Sequence, residues 1–289
     1  RAVEELQRAV WRLDAAETVP PHLLLTAHKN GGLLLGAFAR SPAGSGEQLV
    51  GFVFGFLGAS QPAPGRLKHC SHMAGVHPDY RDQNLGYRLK LAQRQHVLAQ
   101  GIDLITWTFD PLESRNAHLN FHKLGAVSRT YLPNLYGDMR DGLNASLPSD
   151  RLQVEWPIAS QRVARRLHGE SQPAGAALAE MRAAGVAALN EPLAGGGDLL
   201  RPSPVLAPDS LRARPAGVLL CIPRTFQAIK AADMSLAAAW RLHTRALFEA
   251  AFAGGYVATD FLLEGDRGYY LLEMAAYDQL SKPHEDRTP

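Results

Sequence analysis

Cysteine is nearly missing from this sequence: Cys70 and Cys221 are the two it has. Two thiols make neither a disulfide framework nor a four-thiolate zinc site. Cys221, within Leu219-Leu220-Cys221-Ile222, reads as a small buried hydrophobe on a strand. Cys70 stands among His69, His72 and His77, and strand alternation puts Cys70 and His72 on one face. No second ligand cluster accompanies them, so no metal is expected. Also missing is an apolar run of the roughly 20 residues that cross a bilayer. The opening segment, an amphipathic helix pattern of Val3, Leu6, Val10 and Leu13, lacks the apolar stretch of a signal peptide. Charge of one sign is missing too: 30 Lys+Arg against 28 Asp+Glu leave +2, without the basic excess of a dedicated nucleic-acid binder. Lysine is scarce beside arginine, which reads as genome composition. These absences lead to the expectation of a soluble, cytoplasmic protein that binds neither nucleic acid nor membrane.

What is present is a globular balance, 46% hydrophobic and 20% charged over 289 residues. That is enough for one large domain or two ordinary ones with a real core. Residues 23–28, a turn at Lys29-Asn30-Gly31-Gly32 and residues 33–39 read as a β-hairpin. A connection over 41–48 leads to a strand at 49–57, a Pro/Gly loop at 61–65 and a strand at 66–76. A helix opens near Asn84, carries Leu85, Leu89, Leu91, Ala92 and Val97, and stops at Gly101. Leu104–Phe109 is β-branched and aromatic, a strand, and 114–123 is a short helix closed by Gly125. Strands at 126–132 and 151–156 follow, joined by a long loop. Antiparallel strands and then strand–helix–strand–helix–strand predict an α+β fold, a mixed α/β sheet with at least one parallel pair.

From Pro157 to about Pro215 the character changes to Ala-rich helical stretches, a triple glycine at Gly195-Gly196-Gly197, and crowded prolines at Pro202, Pro204, Pro208 and Pro215. Order resumes with a strand at 218–223 and a helix over 234–252, whose buried stripe is Leu236, Trp240, Leu247 and Ala251. A closing hairpin spans 256–263 and 269–273. This strand–helix–strand–strand order resembles part of 104–156, as an internal duplication would. The expected division is 1–157, a connector over 158–216, and a smaller α+β unit over 217–289.

The segment richest in chemistry is Met73-Ala74-Gly75-Val76-His77-Pro78-Asp79-Tyr80-Arg81-Asp82-Gln83-Asn84-Leu85-Gly86-Tyr87-Arg88. A strand ends at Val76, a tight polar turn follows, and a helix opens. Amides at a helix start lack internal partners and bind anions, phosphates above all. Gly86 serves either close approach of a pyrophosphate or helix packing. Arg81 and Arg88 either add charge to such a site or lie on the surface.

This stretch resembles the acetyl-CoA loop of the GNAT superfamily of N-acyltransferases, with Val76, Pro78, Tyr80, Arg81 and Gly86 on the pattern. Asn84 stands at the first glycine position, where asparagine tolerates a left-handed backbone. A second superfamily pattern falls on residues 114–125: Ala117, Lys123 and Gly125 fit, Ser114 replaces the usual Asn with Asn116 nearby, and Phe121 replaces the usual Tyr. The two motifs lie about 30 residues apart, and the resemblance covers roughly 1–157. The whole chain resembles a little-characterised longer subgroup with a carboxy-terminal extension.

The resemblance implies a GNAT-like central sheet with flanking helices and acyl-CoA, acetyl-CoA first, as co-substrate. The acyl-CoA would lie in a V-shaped opening between the strands 66–76 and 104–109. Its pyrophosphate would rest on Asp82, Gln83, Asn84, Leu85, Gly86 and Tyr87 with Arg81 and Arg88 nearby. Its pantetheine would pair with Ala74, Gly75 and Val76, while Ser114, Asn116 and Phe121 complete the cofactor set. A backbone N–H near Val76 would polarise the thioester, and an amine, expected to be a small molecule, would attack directly. With Phe121 unable to donate a proton, Tyr131 and Tyr136 are candidate acids, and His72 and Glu113 candidate bases. His122 is adjacent to Phe121 but faces elsewhere on the helix. Asp110, like Glu113, follows a strand and serves as base, as a site for a cationic substrate, or as loop solvation. A non-catalytic acyl-CoA-binding module on the same fold stays open, as does a homodimer or lid role for the extension.

Overall fold

The computed structural model describes residues 1–11, 17–40, 46–60, 65–137, 147–170, 174–195, 199–203, 211, 216–275 and 277–282. Expectations for Leu13, Gly196, Gly197, Pro204, Pro208, Pro215 and much of the loops at 41–48, 61–65 and 133–150 lie outside the described residues. The described chain falls into two compact units, one within Arg1–Trp107 and one from Thr108 onward. Contact density therefore divides the chain at Trp107, whereas motif and composition divide the sequence at 157.

The first unit opens with α1 (Ala2–Trp11) and α2 (Pro21–Lys29). Strands β1 (Leu33–Arg40), β2 (Glu47–Ala59) and β3 (Leu67–Val76), helix α3 (Leu85–Ala99) and strand β4 (Leu104–Phe109) follow. The strand order is β1-β2-β3-β4, antiparallel except for the parallel β3–β4 pair. The amphipathic face of α1 is as the sequence spaces it: Leu6 joins Val19, Leu24, Phe52 and Phe54 in a core, with Val3 and Val10 packed on it.

Residues 23–28 are helical, contrary to the hairpin expectation. Pro21 supplies a preset φ at the first helical turn. The Asn-Gly-Gly sequence closes the helix instead of turning a hairpin: Gly31 sits at φ +85°, and Gly32 N–H donates to Ala27 O at 2.8 Å. That is the Schellman arrangement, which uses the same residue types as a tight hairpin turn.

The second unit holds α4 (Ser114–Ala117), which continues as a π-helical turn His118–Lys123, then β5 (Val127–Leu132) and β6 (Arg151–Pro157). Next come α5 (Gln161–Leu167), α6 (Ala174–Ala183), and the short strands β7 (Ala187–Ala188), β8 (Leu193–Ala194) and β9 (Leu200–Arg201). Strand β10 (Gly217–Pro223), helices α7 (Phe226–Ala232) and α8 (Met234–Ala253), and the hairpin β11 (Val257–Glu264) and β12 (Arg267–Glu273) complete it. Its strand order is β6-β5-β11-β12-β10-β7. An aromatic core runs through it: Phe121 meets Phe109 and Tyr270 at ring separations of 5.9 and 5.7 Å, and Tyr270 meets Phe248 and Phe261 at 5.0 and 4.7 Å. The fold is thus α+β with mixed strand directions. Among the described residues, no helix is long and apolar enough to cross a membrane.

The α8 stripe buries Leu236, Trp240, Leu247 and Ala251 as spaced, but it also buries Arg241 and Thr244. Arg241 Nη1 donates to Asp110 Oδ1 at 2.7 Å, and a second bond joins Nη2 to Oδ2. Arg245, one turn on, grips Asp150 through Nε at 2.8 Å and Nη2 at 2.6 Å. Asp110 is therefore a buried ion-pair partner, neither a solvated loop carboxylate nor a base.

Candidate functional site

In the first unit β3 ends where the sequence places its end. His77 N–H donates to Val50 O at 2.8 Å, and Pro78–Tyr80 forms a single 3-10 turn. Asp82 and Asn84 both take left-handed backbone, at φ 69° and 55°. Asn84 supplies that conformation in place of glycine, as its side chain permits. Helix α3 then begins at Leu85, with Arg88 N–H donating to Asn84 O at 3.0 Å and no side-chain cap on the helix start. The amides just ahead of Arg88 lack acceptors within the helix. The first turn carries no acidic residue, and Arg81 and Arg88 are exposed. Amides without acceptors in the helix and the positive end of a 15-residue helix meet at this turn, with Arg81 and Arg88 exposed nearby in the sequence, a cradle that would suit a phosphate-bearing anion.

Strand β3 is bent just before it reaches this cradle. The β2–β3 register skips His72, with Gly55 opposite Ser71 and Phe54 opposite Met73. Such a bulge kinks its strand. It also swaps faces: His69 and Ser71 bond Gln93 on α3, whereas Met73 packs into the core on the α1 side. The parallel ladder to β4 consists of His69↔Ile105 and Cys70↔Thr106, so it ends where the bulge begins. Because His77 N–H points to β2, Ala74 and Val76 turn their N–H and C=O toward the opposite edge. That edge is a row of strand donors and acceptors leading toward the α3 N-terminus.

A buried polar cluster lies where the two strands part. Lys90 Nζ donates to Ser71 Oγ at 2.8 Å and to Gln93 Oε1 at 3.2 Å, and sits 3.8 Å from the centroid of the Trp107 ring. Gln93 Nε2 is 3.1 Å from His69 Nε2. Burial pulls the Lys90 amine down to about 7. Burial also brings His69 to about 4, with Lys90 and His96 adding to the effect. The sequence reading missed this cluster. Its signal is the stripe Leu89–Gln93–Val97 on α3, which carries a polar residue at its centre beside Lys90.

His72, the bulge residue, is exposed and lies beside Phe54 and Phe56 at ring separations of 6.0 and 5.8 Å. Partial burial holds its imidazole below the usual range, leaving it neutral at pH 7.

The remaining expected residues belong to the second unit. Ser114 is buried and its Oγ donates to Arg224 O at 2.6 Å, so its hydroxyl is committed, while Asn116 is exposed. Phe121 has no exposed surface. Its side chain belongs to the aromatic core. Tyr131 donates to Asp150 Oδ2 at 2.8 Å. Burial, then the Asp150 charge, push its phenol well above the usual tyrosine range, a poor setting for an acid. Tyr136 is exposed and pairs with Thr108 Oγ1 at 2.9 Å. Glu113 accepts a bond from Gln227, and burial and the neighbouring Asp110 raise its carboxyl above the ordinary value. His122 binds Asp260 at 3.1 Å, turned away from Phe121 as its helical spacing requires.

No protein-family model and no curated protein matches this chain. Among solved structures it is similar to the ribosomal-protein-S18-alanine N-acetyltransferase from Escherichia coli, with 15% identity over 54% of this chain and 86% of that one and a TM-score of 0.39. It is similar to aminoglycoside 6'-acetyltransferase type Ii, with 18% identity over 54% and 88% of the two chains and a TM-score of 0.41. A third similarity is to Chaetomium thermophilum Naa20 in complex with a bisubstrate analogue, with 17% identity over 58% and 88% and a TM-score of 0.42.

Proposed function

We propose that this chain is an acyl-CoA-dependent N-acyltransferase of the GNAT type, using acetyl-CoA to acylate a small amine. The observation that carries the reading is the arrangement in the first unit. A bulged strand leaves its partner after Cys70, turns the backbone groups of Ala74 and Val76 outward, and feeds an uncapped helix N-terminus at Leu85. An acyl-CoA would supply an activated acyl group and a diphosphate. The amides of Asp82 to Tyr87 would hold the diphosphate, with Arg81 and Arg88 adding charge. Ala74 and Val76 would pair with the pantetheine amides, and a backbone N–H of β3 beyond them, toward Ser71, would stabilise negative charge developing on the thioester oxygen.

For proton transfer the candidates narrow. Tyr131 drops out on its enclosure and its bond to Asp150. Tyr136 remains as an exposed hydroxyl, and Glu113 as a carboxyl with raised proton affinity. His72 remains a neutral imidazole on the bulge. The same narrowing favours a second reading, an acyl-CoA-binding module without turnover. Isothermal titration with acetyl-CoA, paired with a thiol-release assay over a panel of amines, separates them. Binding with amine-dependent release supports the transferase, binding without release supports the module, and no binding overturns both.

A further inference from the structure

Ser71 follows the last β3 residue in the parallel ladder, and Trp107 follows the last β4 residue. Lys90 Nζ touches both, 2.8 Å from Ser71 Oγ and 3.8 Å from the Trp107 centroid, so it occupies the vertex at which the strands part. From Val76, beside the anion cradle, to Ser71 is five residues of strand, roughly 17 Å at about 3.3 Å each. An extended pantetheine arm is of the same order, so its thioester end would come to the vertex. We propose that Lys90 is a self-acylation site: acyl-CoA bound along β3 transfers its acyl group to Lys90 Nζ. The inference rests on the acyl-CoA reading above.

The step balances with the chain's own atoms. The Nζ lone pair forms a bond to the acyl carbon as the C–S bond breaks. The proton lost from nitrogen goes to the CoA thiolate, leaving an Nε-acyl-lysine and free CoA. A nucleophilic lysine must be unprotonated, and the groups packed round this one favour that state. From β3 come Ser71 and His69, from α3 Gln93, and from β4 Trp107. None is anionic, and among the described residues Nζ forms no ion pair. Burial, at 5% exposure, then lowers its proton affinity to about 7. A lysine serving structure alone would be expected to pair with a carboxylate, as Arg241 does with Asp110.

The test is incubation of the full chain with acetyl-CoA, followed by peptide mass spectrometry, with CoA binding measured calorimetrically on the same preparation. The expected result is one added acetyl group on Lys90, formed roughly tenfold or more faster than on Lys29, Lys68, Lys123, Lys230 or Lys282. Its rate rises with pH through about 7 and then levels off. Acetyl phosphate, which lacks the CoA arm, should label Lys90 no faster than those lysines. CoA binding with Lys90 unmodified overturns this inference and leaves the proposed function standing. Absence of CoA binding removes both. Equal labelling of Lys90 by acetyl phosphate contradicts delivery along β3. An NMR titration of the Lys90 side chain without any ligand gives an independent readout, and a midpoint near that of an ordinary lysine also overturns the inference.

Discussion

Gly55 lies directly beneath the His69 imidazole, with no room for a β-carbon between its backbone and the ring. His69 in turn meets Gln93, and Gln93 meets Lys90 and Ser71, so one glycine sets the floor of the polar cluster at the strand vertex. Gly55→Ala should displace the ring and cost about 1–3 kcal/mol, as overpacking does in a close-packed interior. Urea denaturation measures it, and a variant as stable as the parent would mean that the ring moves aside freely.

The charges in this cluster set a pH dependence of unusual sign. The unfolded chain keeps the Lys90 proton up to about 10.5, whereas the folded chain releases it near 7. Between those values the unfolded state binds more protons, so stability rises with pH. His69 works the same way lower down: its folded value of about 4 against 6.5 unfolded means stability is lost as pH falls through that window. Lys90→Met should flatten the alkaline rise in denaturation midpoints measured from pH 7 to 10. An unchanged slope would show that the amine is not buried as a base.

In the second unit, Asp260 adds a dependence of the same sign, set by partners and not by burial. Burial alone would raise its carboxyl, but the His122 bond and the Arg166 guanidinium outweigh it and hold the carboxyl at about 2, against 3.8 unfolded. The stability it contributes, roughly 2 kcal/mol, is full above pH 3.8 and is lost as pH falls through about 2. Acid titration of Asp260→Asn should lack this part of the transition. A variant whose acid curve superimposes on the parent's would contradict it.

Breaking the Asp110–Arg241 pair from one side leaves an uncompensated buried charge. Asp110→Ala should cost about 3–5 kcal/mol. Replacing both partners by apolar residues of similar volume should recover most of it. Equilibrium unfolding of the single and double variants decides, and a small single-variant loss would mean that the pair is wet.

Phe121→Tyr should still fold but lose about 1–3 kcal/mol. The ring has no exposed surface, so a new hydroxyl has to find a partner among Phe109, Tyr270 and their neighbours or remain unbonded. Calorimetric melting tests it, and an unchanged midpoint would reveal room beside the ring.

The local signals that read well in the sequence are those of a single element. Leu104–Phe109 is a strand at the expected residues, α3 opens next to Asn84, and α8 runs within a residue or so of its predicted ends. What the sequence hides depends on partners far along the chain. The Asn-Gly-Gly of residues 30–32 satisfies both a hairpin turn and a Schellman cap, and α2 packing Leu24 against Phe52 and Phe54 settles it. The bulge at His72 has no mark of its own, because it exists as a register skip against β2. Arg241 and Lys90 look like solvated helix residues until the strands they reach are known. For the candidate site, the strand end at Val76 and the helix start after Asn84 were legible, since they are local and consecutive. The surroundings of Tyr131 and Phe121 were not, because Asp150 and an aromatic core supply them from far along the chain.

The most direct test of the account is an amide NMR titration of the isotope-labelled chain with CoA, repeated on Gly86→Glu. The account predicts saturable shifts concentrated on Asp82, Asn84, Leu85, Gly86 and Tyr87 and on Ala74 and Val76, with affinity falling about tenfold or more in the variant, ~1.4 kcal/mol. Shifts that leave those amides untouched, or equal affinity in the variant, would contradict it.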